Sequence, residues 1–418
     1  LVARYKSRCP ICGGLPNLTA PSPGLGEYDG IINSLVDQVY KHQIDGTEIP
    51  RQLYEQTAND LLKGVTEGLG GASFGFEDPR NSLLAYFQDN VFQFSGAKSQ
   101  AEINVFNTLL YDADGNVRSF TEFRNLCLDA GLDFNNNWLQ TEYNTALAGA
   151  QMALNWQHLQ NADYIQYSTA GDDRVRPAHA MLDGFTAPPE DKIWDIIYPP
   201  NDWNCRCTAI PGAAHNVIKV YVTSAQAKEE IPLYFQHNVG NTKTVLDADG
   251  YLQYQVGNKS KLLQAEKNYG MPSVENLYKQ NTFTPRLEIQ TPTDAYKWFA
   301  DTTGAKDVMI QKDITGVNIQ VDKELIRHAI EDHPKENRFE FVGNVLDVLK
   351  APDEVWSNRT DNSLERYYIK YYADFPIVVY VNEEDGMRAY TMFEAQRKGK
   401  LNGTAIKNLR RGILIYRK

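Results

Sequence analysis

The sequence predicts a multidomain α+β protein: a helical N-terminal half, a loop-rich α+β unit in the middle, and a small C-terminal α+β domain with an antiparallel sheet. Three observations carry this. At 418 residues the chain exceeds one ordinary core, and roughly two to three domains are expected. From Ile31 to about Gln160, apolar residues recur at three and four. After Ala351, short β runs alternate with loops too short for parallel crossovers.

Residues 1–74 read as an N-terminal lead-in that becomes helical. Its irregular start holds Cys9-Pro10-Ile11-Cys12, the spacing of a zinc half-site. Ile31, Ile32, Leu35, Val36 and Val39 mark one helix, and Leu53, Thr57, Leu61, Leu62 and Val65 a second after Pro50, closed by Gly68, Gly70 and Gly71. Residues 75–240 form the next region, with helices expected over 81–92, 97–110, 118–130 and 136–160. Asp112, Asp114, Gly115 and Asn116 have no bidentate Glu at the place a calcium loop needs, so a helix–helix turn is expected there. Val217 to Val222 alternates like a strand. Residues 241–318 read as a connector, with a hairpin signal at Asp247-Ala248-Asp249-Gly250 and a helix from Thr293 to Thr303. Residues 319–418 complete the chain as helices Lys323 to Asp332 and Phe341 to Leu349, then strands Glu354 to Ser357, Arg366 to Tyr372, Ile377 to Val381 and Arg388 to Phe393.

Composition narrows the classes. The chain is 42% hydrophobic and 23% charged, as a globular protein is. No uninterrupted run of about 18 apolar residues predicts a membrane span, and residues 1–14 carry charge where a signal peptide has an apolar core. Opening on Leu1 points to a truncated or processed chain. Five cysteines are too few and too odd for a disulfide framework, which fits a reducing compartment. The net charge of -11 argues against a general nucleic-acid coat. From Arg388 to Lys418, however, nine Lys or Arg face Glu394 alone, a stretch that either meets phosphate or stands solvated.

The stretch from Tyr167 to Cys207 concentrates demanding residues without helical or strand periodicity. Gly171, Gly184, Pro177, Pro188, Pro189, Pro199 and Pro200 punctuate it, so its backbone polar groups need side-chain partners. Arg174 and Arg176 are expected to pair with Asp172, Asp173 or Asp183 in structural ion pairs, and Trp203 to be largely buried. The run D-D-x-V-R-x-x-H-x-x-L-D-G, followed by D-x-x-W and P-P-x-x-W-x-C-R-C, resembles the signature of the phage Mu protein F-like family of minor head proteins. In that resemblance Asp172, Arg176, His179 and Trp203 are the structural motif. It implies a protein that sits with the portal inside the virion head, meets other head proteins, and occupies the host cytoplasm during assembly or after delivery. Cys9, Cys12, Cys205 and Cys207 form a candidate structural zinc set, with buried free thiols as the alternative.

The C-terminal domain holds the candidate chemistry. Cleaving RNA without a metal needs a base for the 2′-hydroxyl proton, an acid for the leaving 5′-oxygen and cations over the phosphorane. His328, His333, Arg338, Lys370 and Thr391 can supply these, with Arg366, Tyr368, Lys407 and Arg410 as candidates for holding the substrate. The bland alternative is that His328 packs on an amphipathic helix and His333 merely precedes Pro334. H-A-I-E-D-H-P, V-L-K-A-P-D-E-V-W, R-Y-Y-I-K-Y-Y, P-I-V-V-Y-V and A-Y-T-M-F together resemble the phage-borne branch of the barnase, EndoU, colicin and RelE-like nucleases. That resemblance implies His328 or His333 as acid or base, Arg338 and Lys370 on phosphate, Thr391 as a donor, and Tyr368 as a substitute for either His. No cofactor is then required for cleavage. Two readings stand: a head protein carrying an RNase-like effector, and a purely structural head protein with an inactive C-terminal domain.

Overall fold

The computed structural model describes residues 26–217, 219–248, 269–272, 274, 276, 277, 288–360, 363–373, 375–383, 386–397, 400, 401, 408–410 and 412–418. These fall into two compact units. One takes the described residues as far as Ala72 and again from Gln93 to Ala248; the other takes Ser73–Phe92 and the described residues from Tyr269 onward. The hairpin expected at 247–250 lies half outside the described residues.

The first unit is a helical layer with a small sheet. Helices α1 (Gly26–Tyr40), α2 (Arg51–Gly68), α3 (Pro79–Leu109), α4 (Phe120–Leu132) and α5 (Leu139–Leu159) follow in order. The break expected near residues 93–96 does not occur, and α3 runs through it. Gly96 in a helix interior costs about 1 kcal/mol relative to Ala, which the burial of Phe92, Phe94, Ala97 and Ala101 outweighs. Ser119 caps α4 by accepting the Glu122 amide. A π-helical turn, Asp133–Trp138, leads into α5. Close packing of α2 on α5 depends on Gly64 and Gly68, where a Cβ would sit 2.8 Å from the Tyr143 carbonyl and 2.4 Å from that of Leu147. Beyond α5, strands β1 (Ile165–Ser168), β2 (Thr186–Ala187) and β3 (Thr208–Pro211) form an antiparallel sheet in the order β2-β1-β3. Among the described residues from Val217 to Val222 no strand forms: Tyr221 is exposed, and the chain instead enters helix Ser224–Glu230 through a capping box at Thr223.

The core of this unit contains charge. Lys98 pairs with Glu142, both almost fully enclosed, and Glu102 accepts a 2.7 Å hydrogen bond from Asn135. Burial pushes the Glu102 carboxyl up to about 8, against the pull of Lys98 and Asn135.

The second unit is a seven-stranded sheet in the order β12-β6-β7-β8-β9-β5-β4. Its strands are β4 (Val308–Lys312), β5 (Asn318–Asp322), β6 (Glu354–Arg359), β7 (Leu364–Tyr371), β8 (Pro376–Glu383), β9 (Met387–Glu394) and β12 (Ile413–Arg417); β10 (Gln396–Arg397) and β11 (Lys400–Leu401) pair separately. The sheet is mixed, not purely antiparallel, because β5 lies parallel to β9 at Gln320↔Arg388. The long excursion between them, through β6, β7 and β8, makes that parallel pairing possible. Strand β4 and helix Pro292–Thr303 fall inside the stretch read as a connector.

The start of α3 is part of this unit. Asn81 exchanges hydrogen bonds with the backbone of Asn318, both at 2.8 Å, and Gln88 donates to the Thr315 carbonyl. Asp89 accepts from Ser357 at 2.6 Å. Arg366 on β7 lies at the centre, fully enclosed, with Nη1 3.5 Å from Asp313 and Nη2 donating to the Ala85 carbonyl and Gln88. Tyr368 donates to the same Asp313, which also holds the β4–β5 turn through the amides of Thr315 and Val317. A second buried pair, Glu354 with Arg410, is closed by Tyr371 and Trp356 and sits where β6 meets β12.

Two outcomes follow for stability. Arg366→Ala leaves Asp313 buried without its counter-charge, and full-length protein should lose about 3–5 kcal/mol in urea unfolding; a loss under about 1 kcal/mol would contradict the hub assigned here. Between pH about 4.5 and 8 the folded chain keeps the Glu102 proton that the unfolded chain has released, so this group's contribution is full below that window and lost as pH rises through it. Glu102→Gln should therefore gain on the parent between about pH 5 and about pH 8. An equal gap at both pH values would contradict it.

Candidate active site

The alternation of β7 sorts its side chains. Arg366 and Tyr368 share the face that carries the buried hub, while Glu365 and Tyr367 take the other. Pairing carries that second face across the sheet, from Tyr367 to Tyr380 and from Tyr380 to Thr391. Between Tyr380 and Val381 the register shifts, so β9 carries one extra residue, Tyr390. Such a bulge re-aims side chains. Here the Tyr390 ring lies 6.2 Å from that of Tyr380, and Tyr380 lies 5.2 Å from Tyr367. Glu365 accepts from both Tyr367, at 2.9 Å, and Tyr380, at 3.0 Å.

The helix expected over Lys323 to Asp332 is α-helical only to Arg327. His328–Asp332 follows as a π turn, a form that recurs at functional sites because its extra residue displaces side chains. The ring centroid of His328 is 4.9 Å from that of Tyr390 and 4.9 Å from that of His333. His328 Nδ1 lies 2.7 Å from an Asp332 carboxylate oxygen, which orients the ring and leaves Nε2 as the basic nitrogen. Arg338 donates to Thr391 Oγ1 at 3.1 Å and lies over the Phe393 ring. It also donates to Glu336, which stands 3.5 Å from His333. Burial alone would raise Glu336; Arg338 and His333 outweigh it and hold the carboxyl below the ordinary range.

Two partly exposed imidazoles, a guanidinium and three hydroxyls thus meet on one face: His328, His333, Arg338, Thr391, Tyr380 and Tyr390. The set can accept and return protons and hold an anion. Arg388, half exposed and 3.7 Å from Asp322, adds a cation on the same strand.

Other expected residues lie elsewhere. Lys370 is occupied by Asp347 at 3.1 Å and by the Ala351 carbonyl. Arg366, Tyr368 and Arg410 were expected at substrate, but each is enclosed in a buried ion-pair cluster where their charge and hydroxyl groups already have partners. Lys407 lies outside the described residues, as do Cys9 and Cys12. Sequence reasoning missed Tyr380 and Tyr390. The one signal was Tyr380 interrupting an apolar β run; the bulge that brings in Tyr390 leaves no trace in periodicity.

In the first unit, the loop-rich stretch is tied by ion pairs arranged differently from expectation. Arg174 does pair with Asp172, at 3.4 Å, but Arg206 holds that carboxylate more closely, at 2.6 and 2.7 Å, and keeps it well below the usual carboxylate range. Arg176 turns to Asp202 at 3.0 Å and to the Trp203 carbonyl at 2.8 Å, and Asp183 accepts from Thr169. Trp194 is buried. Trp203 is only half-buried, because its ring meets Phe235 at 5.3 Å and Phe94 at 6.5 Å and has no further ring against it among the described residues. His179, Cys205 and Cys207 come together here, all three buried.

The chain therefore combines a nuclease-like α+β unit with a loop-rich, ion-pair-tied region, and comparison with known proteins places each. Residues 296–417 match the family described as phage-Barnase-EndoU-ColicinE5/D-RelE like nuclease2. Residues 135–210 match the family described as Phage Mu protein F like protein. Among curated relatives, the Mu-like prophage FluMu F protein of Haemophilus influenzae is 38% identical over 69 residues, and an F protein of Escherichia phage Mu named for capsid assembly is 41% identical over 73. Each alignment covers 16% of this chain and 17% of the relative. No solved structure matches the chain.

Proposed function

We propose that the chain is a phage or prophage head protein, associated with the portal, whose C-terminal unit is a ribonuclease delivered as an effector. The similarity of residues 135–210 to F proteins supports the head role. The observation that carries the enzymatic reading is the convergence of His328, His333, Arg338 and Thr391 with Tyr390 on one sheet face. Among the described residues no helix is long and apolar enough to cross a membrane.

In this reading His328, set by Asp332, takes the proton of the ribose 2′-hydroxyl through Nε2. The 2′-oxygen attacks phosphorus, the bond to the 5′-oxygen breaks, and protonated His333 returns a proton to that leaving oxygen. Arg338 and Thr391 meet the non-bridging oxygens as charge builds on the phosphorane. Tyr380 and Tyr390 offer aromatic faces to unpaired bases.

His328→Ala and His333→Ala in the full-length chain should each lower RNA cleavage by about 10²- to 10⁴-fold with the thermal midpoint retained. Tyr390→Phe, which keeps the ring and loses only a hydroxyl, should stay near the parent rate. Folded His variants that cleave at the parent rate would contradict this assignment, and a parent chain that never cleaves RNA would leave the head role alone.

A further inference from the structure

We propose that His179, Cys205 and Cys207 bind a zinc ion that staples the loop-rich stretch between β1 and β3. His179 sits on the short helix Pro177–Ala180, while the two cysteines are alternate residues of the loop entering β3. Their side chains converge: His179 Nδ1 is 3.7 Å from Cys205 Sγ and 3.6 Å from Cys207 Sγ, and all three ligand atoms lie within 4.8 Å of one another.

Those distances decide between two explanations. A neutral imidazole nitrogen has one lone pair and accepts one S–H, yet two sulfurs approach the same nitrogen at nearly equal distance. With Zn–S of about 2.3 Å and Zn–N of about 2.0–2.1 Å, tetrahedral coordination places each sulfur about 3.6 Å from the nitrogen. The observed spacing is that of ligands around one ion. Relative exposures of 3%, 2% and 5% for His179, Cys205 and Cys207 describe a buried ligand set rather than a reactive surface thiol.

Donor chemistry selects the metal. Two thiolates and an imidazole suit zinc over calcium or magnesium, which take oxygen ligands. Binding releases the two thiol protons to solvent, and the fourth position is left to water or a further donor. The surroundings keep the site rigid. Tyr167, fully buried, donates to Asn201 at 2.8 Å, and Arg176 and Arg206 hold the chain on either side of Cys205 through Trp203 and Asp172. The sequence pointed to Cys205 and Cys207 as half of a set with Cys9 and Cys12; the third ligand, His179, had been read only as part of a structural motif.

The test uses full-length protein refolded with zinc, desalted and analysed for metal, beside metal-stripped protein titrated with cobalt(II). About one zinc per chain should be retained, and cobalt should give thiolate charge-transfer and tetrahedral bands. His179→Ala and the Cys205→Ser, Cys207→Ser pair should lose zinc affinity by more than the roughly 10- to 100-fold typical of an outer-shell change, while Cys127→Ser binds as the parent does. Because the ligand variants can fail to fold, the cobalt spectrum of the parent chain stands as an independent measure. Zinc-free parent protein without a cobalt–thiolate band, a Cys205–Cys207 disulfide in the freshly reduced and refolded chain, or folded ligand variants with parental affinity would each overturn the site.

Discussion

Burying Arg366 beside Asp313 is the constraint on which the C-terminal unit depends. An enclosed guanidinium is tolerable only when its charge is paired and most of its donors are met; here three separate parts of the chain partner Nη1 and Nη2, while Nε has no acceptor among the described residues. Asp313 supplies the charge from the β4–β5 turn, Ala85 and Gln88 supply acceptors from the start of α3, and β7 supplies Arg366 itself. Asp313 in turn binds its own turn amides and the Tyr368 hydroxyl. Residues 73–92 therefore belong with a domain that begins, in sequence, some two hundred residues later. The insertion is a consequence of where polar groups must be satisfied, not of chain order.

This arrangement separates stability from chemistry. One face of β7 carries the hub and the other carries Tyr367 and Glu365, from which the partly exposed row runs through Tyr380 to Tyr390 and the two histidines. A bulge on β9 and a π turn at His328 are both local departures from regular geometry, and both fall at this face. Regular alternation would have placed Tyr390 opposite Thr391; the extra residue sets them together.

Much of the helical half was legible because its signal is local. Periodicity at Ile31 to Val39 and Leu53 to Val65 corresponds to α1 and α2, and strands β6, β7, β8 and β9 were found within two residues at their ends, while the inner strand β5 was not. What was not legible depends on partners distant in sequence. Arg366 and Tyr368, on a basic, aromatic strand, and Arg410, in the basic stretch before β12, look like substrate ligands until Asp313 and Glu354 are brought to them. Strand β12 was missed because Ile413-Leu414-Ile415 is too short to announce itself, and the parallel β5–β9 pair because crossover length cannot be read from strand runs alone. His179 was visible as a motif residue, but nothing in spacing shows that it faces two sulfurs.

The proposed reaction on the His328, His333 and Arg338 face is attack of an RNA 2′-hydroxyl on its own phosphate, and the termini of the products distinguish it from hydrolysis by water. Full-length protein incubated with a defined RNA in the presence of EDTA should leave 2′,3′-cyclic phosphate and 5′-hydroxyl ends, and a strand with a single 2′-deoxyribose at the cleaved position should resist. Products ending in 5′-phosphate, or equal cleavage of the deoxy-substituted strand, would contradict the account.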